Sequence, residues 1–74
     1  DIYIKNNYRI FASLTKREKT IIAMIANGKS SREMSDELFI SIHTINTHRK
    51  NIINKTGCNS FAALLKFAIA FELL

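Results

Sequence analysis

No proline interrupts this sequence, and glycine appears only as Gly28 and Gly57. A chain this short of turn-forming residues, with apolar positions recurring at helical spacing, is expected to be all-α. Cysteine is nearly absent too. Cys58 has no partner for an internal disulfide and no second sulfur for a zinc site. A small apolar filler is its ordinary role, and the chain fits a reducing compartment. Paired carboxylates, a nucleophile beside a base, a phosphate-binding loop and a ligand cluster are all missing, so an enzyme is the least expected class and no cofactor is expected. His43 and His48 lie five apart, so they share no helix face as a metal pair would, and no metal is expected. No signal-peptide pattern is visible. The apolar tail 61–74 is too short to cross a bilayer and is broken by Lys66 and Glu72, so a cytoplasmic location without membrane attachment is expected.

Acid is the most unevenly distributed absence. Eleven Lys and Arg face six Asp and Glu, for a net charge of +5, and no acid occurs between Glu37 and Glu72. A small basic domain suits a polyanionic partner, although a solvated basic face gives the same balance. The 74 residues are 47% hydrophobic, enough for one compact core with a narrow stability margin that self-association would widen.

Four helices are predicted, at about 16–27, 31–38, 42–56 and 60–73. Residues 1–13 have mixed character, with Asn6 and Asn7 resembling a turn, and are expected to be a linker or the end of an upstream domain. Residues 14–74 form the domain. Thr15 and Glu18 make a capping box at the first helix, and Ser30 and Glu33 repeat it at the second. Gly28 and Gly57 are suited to left-handed helix stops. A short helix, a turn of about three residues and a longer helix then follow in order, which is helix-turn-helix grammar.

The longer helix has two unlike faces. At about 100° per residue, Ile45, Ile52 and Ile53 fall on one side, and His43, Asn46, Thr47, Lys50 and Asn54 on the other. A core-facing stripe therefore backs a polar, cationic face without acid. Free amides at the helix starts marked by Ser30 and Ser41 can bind anions, and Lys29 stands just before the first of them. Arg49 has its stem on the core side, with only its guanidinium able to reach outward. The last helix is apolar nearly all round. With Leu64, Leu65 and Ala68 on the core, Phe67, Phe71 and Leu74 are left over at i, i+4 and i+7, a stripe suited to self-association. Coverage by a folded-back N-terminal segment would occupy the same stripe.

With these pieces placed, the chain resembles the LuxR/FixJ-type (GerE-like) helix-turn-helix domain over residues 14–68. The resemblance rests on Leu14-Thr15-x-Arg17-Glu18, Gly28-Lys29-Ser30, Glu33, Leu38-Phe39-Ile40-Ser41, Thr44-Ile45, His48, Asn51-Ile52, Lys55 and Gly57. It implies a four-helix DNA-binding domain ending a bacterial transcriptional regulator. The third helix would enter the major groove and the last would pair two copies through Phe67, Phe71 and Leu74. It also implies base reading by Asn46, Thr47 and Lys50, with His43 in reach of a base or phosphate. Lys29, Ser30, Ser41, Thr44, Arg49 and Lys55 would lie along the DNA backbone. The implied partners are double-stranded DNA and a second copy, with RNA polymerase as a further one. The chain departs from the family at Thr56, where Leu is common, at Cys58, where Val is common, and at Met34-Ser35, where Ile-Ala is usual. The first two changes weaken the apolar join between the third and fourth helices.

Other functions compete. A sigma-factor region-4-like domain shares the Leu-Thr-x-Arg-Glu start, but His48, Asn51-Ile52 and the long apolar last helix stand against it. A protein-docking bundle would show the same wet face without reading DNA. The operator, the choice between activation and repression, and any upstream sensory domain are not encoded in these side chains.

Overall fold

Every helix in the chain opens on a short polar side chain, and these caps set where the elements begin. In a computed structural model describing all 74 residues, Asp1, Thr15, Ser30, Ser41 and Ser60 precede five helices and no strand is present. They are α1 (Ile2–Ser13), α2 (Lys16–Ala26), α3 (Ser31–Leu38), α4 (Ile42–Thr56) and α5 (Phe61–Ala70). Both capping boxes form. The Thr15 amide donates to Glu18 at 2.8 Å and the Glu18 amide to Thr15 Oγ1 at 3.0 Å. Ser30 and Glu33 exchange bonds of 2.9 and 3.1 Å in the same way.

The stops are backbone devices. After α2, Gly28 takes φ +85°, so its amide reaches Ile25 O at 2.9 Å and the Lys29 amide reaches Met24 O at 3.0 Å. The helix therefore ends at Ala26, one residue before the expected limit. Gly57 closes α4 at φ 71°. The last helix is shorter than the predicted 60–73. Glu72 adopts φ 54°, and the Leu73 amide turns back to Ala68 O at 2.8 Å. The bounds of α3 and α4 match the sequence expectation.

The fold remains all-α, but the helix count rises from four to five because residues 2–13 are helical. The Asn6-Asn7 pair sits inside α1, where Asn7 Nδ2 donates to Tyr3 O at 2.8 Å and so satisfies its amide without leaving the helix. No residue of α1 is fully buried, yet Ile10 and Phe11 pack on the core.

That core is built from one stripe of each other helix. Ile21, Ile22 and Ile25 of α2 meet Met34 of α3, Ile45 and Ile52 of α4, and Leu64, Phe67 and Ala68 of α5. α2 packs on α4 and α5, while α3 packs on α4. Phe67 is wholly buried, and its removal from water contributes about 1.5–3 kcal/mol. Phe71 lies between Phe67 and Phe11, stacked on the latter at a centroid distance of 4.6 Å. The stripe expected to be left over is thus mostly inside the molecule. α1 folds back against it, so of Phe67, Phe71 and Leu74 only Leu74 stays exposed.

Candidate nucleic-acid interface

α3 and α4 are joined by three residues, and a contact absent from the sequence pattern holds this turn. Phe39 takes the left-handed conformation, φ 57° and ψ 39°, without being glycine. Its ring is 92% exposed, so nothing on the side chain's account offsets the steric cost of that backbone. The offset comes from Ser35. Its hydroxyl donates to Ile40 O at 2.5 Å, and the Ile40 amide returns to Ser35 O at 3.3 Å. Serine at this departure from the family pattern therefore clamps the turn.

Beyond the turn, α4 runs unbroken from Ile42 to Thr56. Ser41 caps it by accepting from the Thr44 amide at 3.0 Å. Unlike the caps of α2 and α3, this cap includes no carboxylate, since Thr44 stands at the third position and its hydroxyl pairs with that of Ser41. The partial positive charge of the helix start is left uncompensated. Ile45 and Ile52 point into the core, while His43, Asn46, Thr47 and Lys50 are all exposed. Ile53 was expected on the core side, but it is 44% exposed and rims an open cavity of about 150 Å³ between α2, α4 and the start of α5.

The other anticipated contact residues divide. Ser30 and Ser41 are exposed at the starts of α3 and α4. Lys29 is held in a surface ion pair, Nζ to Glu37 Oε2 at 3.1 Å, of the kind that contributes little to stability. Arg49 is half-buried against the same cavity as Ile53. Lys55 does not project freely. Its ammonium lies 2.7 Å from the buried Glu18 carboxylate and 3.3 Å from Ser13 O. This residue ties α4 to the start of α2 by pairing with a buried carboxylate, while Lys55 itself stays on the exposed surface. Burial acts to raise the Glu18 pKa, but the hydrogen bonds from Lys55 and the Thr15 amide outweigh it and hold the carboxyl below its usual range.

Two polar side chains on α4 already have partners. Thr47 Oγ1 donates to His43 O at 3.1 Å, within the helix. Asn46 Oδ1 accepts from Ser31 Oγ at 3.2 Å, across fifteen residues of sequence. The sequence carries no sign of the second contact.

α3, the three-residue turn and α4 thus form a helix-turn-helix unit, with α4 packed on α2. The family described as "Bacterial regulatory proteins, luxR family" matches residues 12–68. The chain belongs to the luxR family of bacterial regulatory proteins. It is 39% identical to the Fimbriae Z protein of Salmonella typhimurium over 82% of its own length and 29% of that protein's. It is 36% identical to the oxygen regulatory protein NreC of Staphylococcus aureus, over 86% of this chain and 30% of the other. The luxR-type chain thus spans about a third of the length of these relatives. As a helix-turn-helix domain of this family it is a DNA-binding domain of transcriptional regulators. No helix in it is long and apolar enough to cross a membrane.

Proposed function

We propose that this luxR-type domain binds duplex DNA sequence-specifically with α4 in the major groove, as the reading head of a bacterial transcriptional regulator. One observation carries the proposal. The exposed side of an unbroken fifteen-residue helix presents His43, Asn46, Thr47 and Lys50 and no acid. Lys50 can donate to guanine N7 and O6, and the Thr47 methyl can lie against a thymine methyl. The amide-rich starts of α3 and α4, at Ser30 and Ser41, support phosphate contacts that set the register. Lys29 would join them by exchanging Glu37 for a phosphate.

Two copies would pair through α5, but on a face other than the sequence suggested. The available apolar surface is Ala62, Leu65 and Ile69, beside Tyr3 of α1, with Leu74 at the end.

Duplex binding measured over a salt series tests the reading. Log affinity should fall linearly with log salt, at a slope near −0.9 per phosphate neutralised. Lys50→Ala should lower the preference between operator and random duplex by about fivefold or more, the lower end of one good base contact. Salt-independent binding, or equal losses on both duplexes, would remove α4 as the reading helix.

A further inference from the structure

We infer that Ser31, on α3, sets which base Asn46 selects, although Ser31 itself lies on a different helix from the reading face. The inference rests on the proposed placement of α4 in the major groove.

An amide oxygen cannot donate, so the Ser31 hydroxyl is the donor in its 3.2 Å contact with Asn46 Oδ1. That contact orients the side-chain amide. Oδ1 is turned onto α3, and Nδ2 of this exposed residue has no hydrogen-bond partner within the chain. Asparagine reads adenine by a bidentate pair, with Oδ1 accepting from N6 while Nδ2 donates to N7. Both atoms must then face the base edge together. With Oδ1 turned to Ser31, one of its two lone pairs is engaged and the amide is drawn away from the in-plane pose that sets both atoms on adenine.

The neighbours on α4 point the same way. Thr47 directs its hydroxyl hydrogen to His43 O, which leaves its methyl to meet a base. Lys50, one turn beyond Asn46, offers donors only. Around Asn46, then, the groups turned freely outward are the Asn46 amide N–H, the Lys50 ammonium and the Thr47 methyl, while the acceptors of Asn46 and Thr47 are partly engaged. Its complement is a base edge of acceptors: guanine with N7 and O6, or thymine with O4 and its own methyl. Adenine and cytosine each carry an amino donor in the major groove and match this face poorly. Exclusion of water on binding strengthens the Ser31–Asn46 bond just when the base is chosen.

Ser31 can be changed without disturbing the fold. It occupies the first helical position of α3, while the cap is Ser30, whose bonds with Glu33 are untouched. Alanine is a good helix former at that position.

Selection from a randomised duplex library, with sequencing of the bound fraction, tests the inference on this chain and its Ser31→Ala, Ser31→Thr and Asn46→Ala variants. Wild type and Ser31→Thr should prefer guanine or thymine at the base pair facing Asn46. Ser31→Ala should raise adenine there by about fivefold, the lower end of one base contact, with other positions and the melting temperature unchanged. Asn46→Ala should flatten that one position. Should the Ser31→Ala profile superimpose on wild type while Asn46→Ala flattens a position, Ser31 does not orient the reader, even if overall affinity drops. Should Asn46→Ala alter no position, Asn46 reads no base and the inference falls with it. Binding without any sequence preference would instead overturn the proposed function.

Discussion

Replacing Lys55 by Met separates a structural lysine from a DNA-contacting one. In the folded chain the Glu18 side chain is only 4% exposed, and its carboxylate has two partners, the Thr15 amide and Lys55 Nζ. Methionine keeps most of the aliphatic stem and removes the charge. The carboxylate would then be buried with one neutral donor. Stranding a buried charge costs about 3–5 kcal/mol. The Lys55 side chain is 35% exposed, so water reaches the pair and screens it, and a loss of about 2 kcal/mol is expected. For a domain of this size that lowers Tm by about 8–16 °C.

The pH dependence sharpens the test. With Lys55 present the Glu18 pKa is depressed, so its contribution exists above the unfolded carboxylate value and disappears as pH falls through the folded one. Without Lys55 two of the influences that lower the Glu18 pKa are gone and burial is opposed only by Thr15, so the folded pKa rises relative to the parent chain. Glu18 then takes up a proton at higher pH than in the parent chain, and the variant loses less than the parent on acidification. The stability gap should be widest near pH 7 and close towards about pH 4. Urea unfolding followed by helical circular dichroism at both pH values gives the gap. The Lys55→Met/Glu18→Gln double variant should lose less than Lys55→Met alone, because no charge is stranded. A loss under about 0.5 kcal/mol, or a gap that ignores pH, refutes this account. So would unchanged stability together with weakened binding to all duplexes, which would return Lys55 to the phosphates.

Two stability changes test the local readings. Phe39→Gly should raise stability by about 1 kcal/mol in the same unfolding assay, since glycine accepts φ 57° at little cost and the exposed ring surrenders no packing; a loss would mean that the ring is held by contacts. Cys58→Val should raise Tm by a few degrees, because the half-buried side chain borders the open cavity beside Ile53 and Phe61, and one added buried methyl group contributes about 0.8 kcal/mol; an unchanged or lower Tm would show that this space does not accept the branch.

What could be read in the sequence follows the range of the interaction responsible. The starts of α2, α3 and α4 were legible because a cap is settled by residues three apart, as with Thr15 and Glu18 or Ser30 and Glu33. The inward Ile45 and Ile52 follow from helical period alone. Thr56 and Cys58 suggested a weak join, and a cavity borders it, but the compensation was hidden: Thr56 Oγ1 donates to Ile52 O at 2.7 Å and accepts from the Cys58 amide at 3.1 Å. Phe39 gave no warning of a left-handed turn, since the Ser35 clamp that stabilises it joins a side chain to a carbonyl five residues on.

The reading of the last helix failed for a longer-range reason. Phe67 and Phe71 look unpartnered only while residues 2–13 are taken as a linker, and it is Phe11 of α1 that completes their packing. A helical wheel has the same limit at the site. It reports which side chains face water, but not which of their donors and acceptors are already engaged. By that projection Lys55 lay at the flank of the outward face and Asn46 on it, with no partner in view for either. In the fold one meets a carboxylate 37 residues away and the other a hydroxyl fifteen away. The two contacts have opposite consequences. The bond to Glu18 engages the Lys55 charge inside the fold's own packing, whereas the bond to Ser31 leaves Asn46 exposed and engages one of its acceptor sites. On the proposed placement of α4 in the major groove, base selection would therefore be shared between α4, which carries Asn46, and α3, whose Ser31 decides how that side chain is turned.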